Sequence, residues 1–100
     1  MQKLVVAKRP QMTSQGDYHA SIQGVVGTWG RGKTPNEALG ALYRVHHAEI
    51  KVVKLHEAIK KLKGASRNPG VQFPPDDSMG YLIRTQAERF GFTIKDQSAS

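Results

Sequence analysis

The stretch Gly32-Lys33-Thr34-Pro35-Asn36-Glu37-Ala38-Leu39 decides how this chain folds. Thr34 suits an N-cap, Pro35 suits the first helical position, and Glu37, three residues past Thr34, completes a capping box. A helix therefore starts at 35. The residues before it read as strand, and those after it read mainly as helix.

Upstream, Lys3 to Lys8 is a first strand, rich in β-branched Val5 and Val6, and Pro10 ends it. Thr13-Ser14-Gln15-Gly16-Asp17 is a polar turn cluster. Tyr18 to Gln23 alternates, with Tyr18, Ala20 and Ile22 on one face and His19, Ser21 and Gln23 on the other. A period of two marks a half-buried strand. Gly24 breaks it, and Val25 to Arg31 supplies a third short strand. Three sequential strands with short connections favour an antiparallel meander.

Downstream, Ala41, Val45, Ala48, Val52, Leu55, Ile59 and Leu62 recur at alternating spacings of four and three, as in a heptad seam. Leu39, Leu42, Tyr43, His46 and Ile50 form a second apolar face confined to the first half. The spacing predicts one long helix over 35–62, with 48–51 as the place where it would break. The competing reading makes Ile50 to Leu55 a fourth strand. Val45, Val52, Leu55, Ile59 and Leu62 are the candidate homodimer seam, with packing against a second helix as the alternative.

Gly64 suits a C-cap, Ser66 to Gly70 a turn, and Phe73-Pro74-Pro75 an extended loop. Asp76, Asp77 and Ser78 offer caps for a helix over 78–90, where Met79, Leu82, Ile83, Ala87 and Phe90 keep helical spacing until Gly91. Phe92-Thr93-Ile94 offers an edge strand. The expected fold is α+β: a three-stranded antiparallel sheet packed on a long helix, with a second short C-terminal helix. Residues 1–95 make one domain and 96–100 a frayed tail.

The chain's 100 residues are enough for one compact core. Hydrophobic residues at 38% and charged residues at 23% give a globular composition rather than a disordered one. The absence of cysteine excludes disulfides, thiol nucleophiles and thiolate metal sites. The apolar run Leu4 to Ala7 is too short for a signal-peptide core, and no run reaches the ~18 apolar residues of a membrane helix. The expectation is a soluble, cytoplasmic protein with no membrane contact.

The net charge of +7 is unevenly spread. Residues 44–67 hold seven basic and two acidic side chains, whereas 68–100 hold three and four. The positive field thus centres on the middle of the chain, where a nucleic acid or an acidic protein would meet it. On a continuous helix Arg44, His47, Lys51, Lys54 and Lys61 share one face. With Arg31 and Lys33 they are the candidate partner- or nucleic-acid-binding residues. The competing reading is an ordinary solvated face.

Gly27-Thr28-Trp29-Gly30-Arg31-Gly32-Lys33-Thr34 fits the phosphate-loop pattern GxxxxGK[ST]. The chain is too short for the parallel sheet that carries such a loop, and Thr34 is committed to capping. A phosphate binder is therefore the remote alternative, and weak anion binding by Arg31, Lys33 and the helix N-terminus the milder one. His46 and Glu49 stand three apart on a helix but lack a third ligand, so no metal or other cofactor is expected. His19 could serve as a general base, but beyond the adjacent Asp17 the sequence names no nucleophile or second acid for it, and the chain reads as no enzyme. Trp29 reads as core, with base stacking as the alternative. Ala87 to Gly91 has helix-turn-helix spacing, but the segment after it is too short to be a recognition helix.

Asp17-Tyr18-His19-Ala20-Ser21-Ile22, then Gly27 to Gly32, then Lys33-Thr34-Pro35-Asn36-Glu37-Ala38-Leu39 resemble the core of HicB-type antitoxins. That pattern is a strand with Tyr-x-Ala, a glycine-containing third strand and a Gly-x-Thr-x-x-Glu-Ala helix start. The resemblance covers residues 3–47. Lys33 departs from it, standing where the family has an acid, and residues 64–100 lack the family's DNA-binding part. It implies a β-β-β-α unit in a non-catalytic protein that oligomerises and occupies a protein partner, often a toxin with RNase activity. The expected function is therefore an antitoxin-like regulator of a protein partner. The alternatives are a phage-type inhibitor of a host defence or nuclease complex and a direct DNA- or RNA-binding protein.

Overall fold

The computed structural model describes residues 2–8, 18–64 and 73–96. The turn clusters read at 13–17 and 66–70 and the tail beyond 96 lie outside them. The strands are β1 (Lys3–Lys8), β2 (Tyr18–Ile22), β3 (Gly30–Gly32) and β4 (Thr93–Asp96). The helices are α1 (Pro35–His46), α2 (Val53–Gly64) and α3 (Asp76–Phe90), with a 3₁₀ turn at His47–Glu49 between the first two.

The fold is α+β, as the sequence indicates, with two corrections. The sheet has four strands in the order β3-β2-β1-β4. β1 to β3 form the expected antiparallel meander, but β4 joins the other edge of β1 in parallel, Leu4 facing Ile94. It reaches Asp96, one residue into the stretch read as tail. Parallel pairing needs a long crossover, and everything between β1 and β4 supplies it.

The second correction is the long helix, which is two. Ile50 is extended (φ −90°, ψ 114°) and buried. The Gln2 side chain clamps the break from β1: its amide donates to the Glu49 carbonyl at 2.9 Å, and its oxygen accepts from the Lys51 N–H at 2.6 Å. His56 Nε2 lies 2.6 Å from the Ile50 carbonyl, which can only accept, so this nitrogen carries the proton. Nδ1 then accepts from the Tyr43 hydroxyl at 2.7 Å. These groups satisfy backbone that a continuous helix would have satisfied itself, and β-branched Ile50, Val52 and Val53 weaken the helical alternative. Ile50–Leu55 is not a strand either, since α2 begins at Val53.

The candidate dimer seam is dismantled by the same break. Val52, Leu55 and Ile59 lie in the protomer's own core, Leu62 is half-buried, and Val45 is 56% exposed. The five do not line one surface, so they cannot form the interface expected of them.

α1 and α3 pack on the sheet face that presents Leu4, Val6, Ala20 and Ile22, and α2 packs against α3. α1 lies so close to β3 that a Cβ on Gly30 would overlap the Leu42 backbone, and one on Gly32 the Glu37 side chain. α1 and α3 cross just as closely: Gly40 abuts the Asp76 backbone and Gly80 the Asn36 backbone. Met79, Ile83 and Ala87 of α3 join Leu39, Leu42, Tyr43 and Phe92 in the core. α3 starts at Asp76 rather than 78, without a side-chain cap. It ends in a Schellman motif: Gly91 is left-handed at φ 86°, its N–H reaches Glu88, and the Phe92 N–H reaches Ala87. Among the described residues, no helix is long and apolar enough to cross a membrane.

Candidate functional site

Strand parity divides the sheet. The residues that alternate with the core positions point away from the helices: Lys3, Val5 and Ala7 on β1, His19 and Ser21 on β2, Arg31 on β3, Thr93 and Lys95 on β4. Register places them in rows. Lys95, Val5 and Ser21 form one row; Ala7, His19 and Arg31 form the next. Four strands at about 4.8 Å spacing make the face roughly 15 Å across. Among the described residues, its charges are Lys3, Arg31 and Lys95, with no carboxylate.

Trp29 stands at one side of this face. It was expected in the core, yet it is 46% exposed and stacks on His19, ring centroids 5.1 Å apart at 29°. The cause is the turn between β2 and β3. The third strand does not begin at Val25 but at Gly30, because Gly24 and Gly27 take positive φ and turn the chain outward. Thr28 is buried beneath, its hydroxyl accepting from the Ile22 N–H at 3.1 Å and donating to the Val25 carbonyl at 2.9 Å. Val26 at the tip is fully exposed. Val5, His19, Ser21, Trp29, Lys95 and the turn line a shallow depression of about 420 Å³.

The phosphate-loop match has a structural explanation. The Glu37 N–H donates to Thr34 Oγ1 at 3.1 Å, and the Lys33 N–H donates to the Glu37 carboxylate at 2.8 Å. The helix N-terminus is thus capped by the chain's own acid, which also repels phosphate. Gly30 and Gly32 are small because α1 lies on them. Of the residues expected to hold an anion here, Arg31 belongs to the sheet face, and the Lys33 N–H serves the cap while its side chain stays exposed.

The other basic candidates do not form one stripe. Arg44 makes a bidentate pair with Asp76, at 2.9 and 3.1 Å, tying α1 to α3. That carboxylate accepts from the guanidinium and raises its pKa above the ordinary arginine value. The His47 ring lies 5.4 Å from Phe73 and 5.9 Å from Tyr43. Lys51 sits on the break. Lys54 and Lys61 project from α2 beside Arg89 of α3. His46 Nδ1 lies 3.7 Å from Glu49, and among the described residues no three metal-ligating side chains come together.

Sequence reasoning missed Lys3, Lys95 and Arg89. Parity against Leu4 and Val6 could have flagged Lys3. Lys95 needed the pairing of β4 with β1, which joins residues about ninety positions apart and leaves no local signal. No family model, no curated protein and no solved structure matches this chain.

Proposed function

We propose that the protein is a small non-catalytic binding protein whose sheet face turned away from the helices takes an extended single strand of nucleic acid. The observation that carries this is the half-exposed Trp29–His19 stack beside a face whose described charges are all cationic. Unpaired bases stack on aromatic rings whatever their sequence, while cations meet the phosphates. Trp29 would receive a base, and Lys3 and Lys95 would track the backbone across the strands. A duplex keeps its bases stacked on one another and cannot use the platform. The capping of the Gly27–Thr34 segment by its own acid supports binding over phosphate hydrolysis.

Trp29 is the only tryptophan, so its fluorescence reports the site directly. Titration with a single-stranded oligonucleotide should quench it. Trp29→Ala, monitored with a labelled strand, should weaken binding by roughly 5- to 150-fold, the equivalent of about 1–3 kcal/mol for one stacked base. No quenching at low salt, or equal affinity for a duplex, refutes the reading.

The antitoxin-like reading is a second proposal, with a protein partner in place of the strand. It is supported by the order β1, β2, β3, α1 and by the sequence match of Gly32, Thr34, Glu37 and Ala38 to the HicB-type helix start. A small toxin gene beside this one, whose product loses activity on adding the protein, is the outcome it requires. An intact toxin activity refutes it.

A further inference from the structure

A second surface, formed by helices rather than by the sheet, has its own chemistry. α2 and α3 together border a cleft of about 490 Å³. Lys54, Ala58 and Lys61 line it from α2, at the i, i+4, i+7 spacing of one helix face. Leu82, Arg89 and Phe90 line it from α3. Ala58, Leu82, Gln86 and Phe90 are half-buried, so the floor is three apolar side chains and one amide, still open to water. Lys54, Lys61 and Arg89 are exposed on the rim, where Glu57 is the one acid. Among the described residues none of the three cations forms an ion pair, whereas Arg44 is locked to Asp76.

We propose that this cleft docks an acidic amphipathic helix of a partner protein. An apolar stripe on such a helix covers Leu82, Ala58 and Phe90, and carboxylates flanking the stripe meet the three cations. Charge selects this occupant over the others. A second copy of the chain carries +7 and is repelled. Of the chain's own segments, 65–72 and 97–100 contain no Asp or Glu, and 9–17 offers Asp17 alone with Arg9 against it, too little charge for three cations. A nucleic acid has phosphates for the rim but no apolar stripe for the floor, and Glu57 opposes it.

The probe is a fluorescein-labelled helical peptide of about 14 residues, roughly four turns. It carries leucines at i, i+4, i+7 and i+11 and glutamates on both flanks. Fluorescence anisotropy should show saturable binding. The double variant Lys54→Glu/Lys61→Glu should weaken it by about tenfold or more, and Arg89→Glu should weaken it too. These side chains are exposed, so the melting temperature of each variant confirms that the fold is kept. A peptide of the same composition with its leucines scrambled should bind at least about tenfold more weakly, because only the ordered stripe fits the floor. Equal binding of the two peptides means charge attraction alone and overturns the proposal. So does indifference to the charge reversals, or displacement of the peptide by a single-stranded oligonucleotide. The oligonucleotide titration on Trp29 succeeds or fails independently of this assay.

Discussion

Leu55→Ala separates a core position from an interface position. Leu55 is fully buried in the protomer, among the residues that join α2 to the rest of the core. Truncating a buried leucine removes its transfer free energy and leaves a cavity, which together cost about 2–5 kcal/mol. A 100-residue domain has roughly 5–15 kcal/mol in total, so the variant should remain folded at room temperature with little to spare. At about 5 °C per kcal/mol, its melting temperature should fall by roughly 10–25 °C. Val45→Ala is the control. Val45 shares the heptad spacing but is 56% exposed, so its loss should stay within about 0.5 kcal/mol. Thermal melts by circular dichroism at two protein concentrations, with light scattering on the eluted species, read both variants. The reasoning is refuted if both substitutions shift the melting temperature alike, or if either converts a dimer to a monomer. Either result would mean that the seam is an intermolecular surface.

Three more measurements probe the sheet face, the core tyrosine and the helix crossing. Neutralising phosphates with Lys3 and Lys95 should give a log–log salt slope of about −1.4 for a single strand, hence a roughly 7-fold loss of affinity from 50 to 200 mM salt; a flat profile removes the sheet face as a phosphate-binding surface. Burial raises the Tyr43 pKa above its ordinary 10.0, so the folded state holds this proton more tightly than the unfolded chain. That stabilisation is complete below the ordinary value and is lost as pH rises through the folded one. An ultraviolet titration should therefore show a late tyrosinate component that Tyr43→Phe abolishes. Gly80→Ala drives a methyl group into the Asn36 backbone and should cost about 1–3 kcal/mol in denaturant melts; an unchanged midpoint would show that the α1–α3 crossing is looser than described.

Local chemistry made much of this protein legible. The Thr34–Glu37 capping box is written in four adjacent residues and closes within one turn, so nothing distant can overrule it. The alternation in Tyr18–Ile22 and the helical spacing before Gly91 also read correctly, because each needs only neighbours and one buried face. The heptad count misled because spacing alone does not say whether backbone continues. Gln2, almost fifty residues away, supplies the groups that close the break at 49–51. Once the helix is broken, a stripe of five basic positions becomes an ion pair, a ring contact, a lysine on the break and two members of a cleft.

The sequence by itself determined β1, β2, the start of α1, the end of α3 and the excess of positive charge. Those arise from interactions among near neighbours and from simple addition. The tertiary structure alone decided which charges share a surface. Lys3 and Lys95 lie on one face because β4 pairs with β1, and Lys54, Lys61 and Arg89 rim one cleft because α2 packs beside α3. Such juxtapositions depend on long-range pairing and on the packing of Gly40 and Gly80 against facing backbone, so no local pattern encodes them.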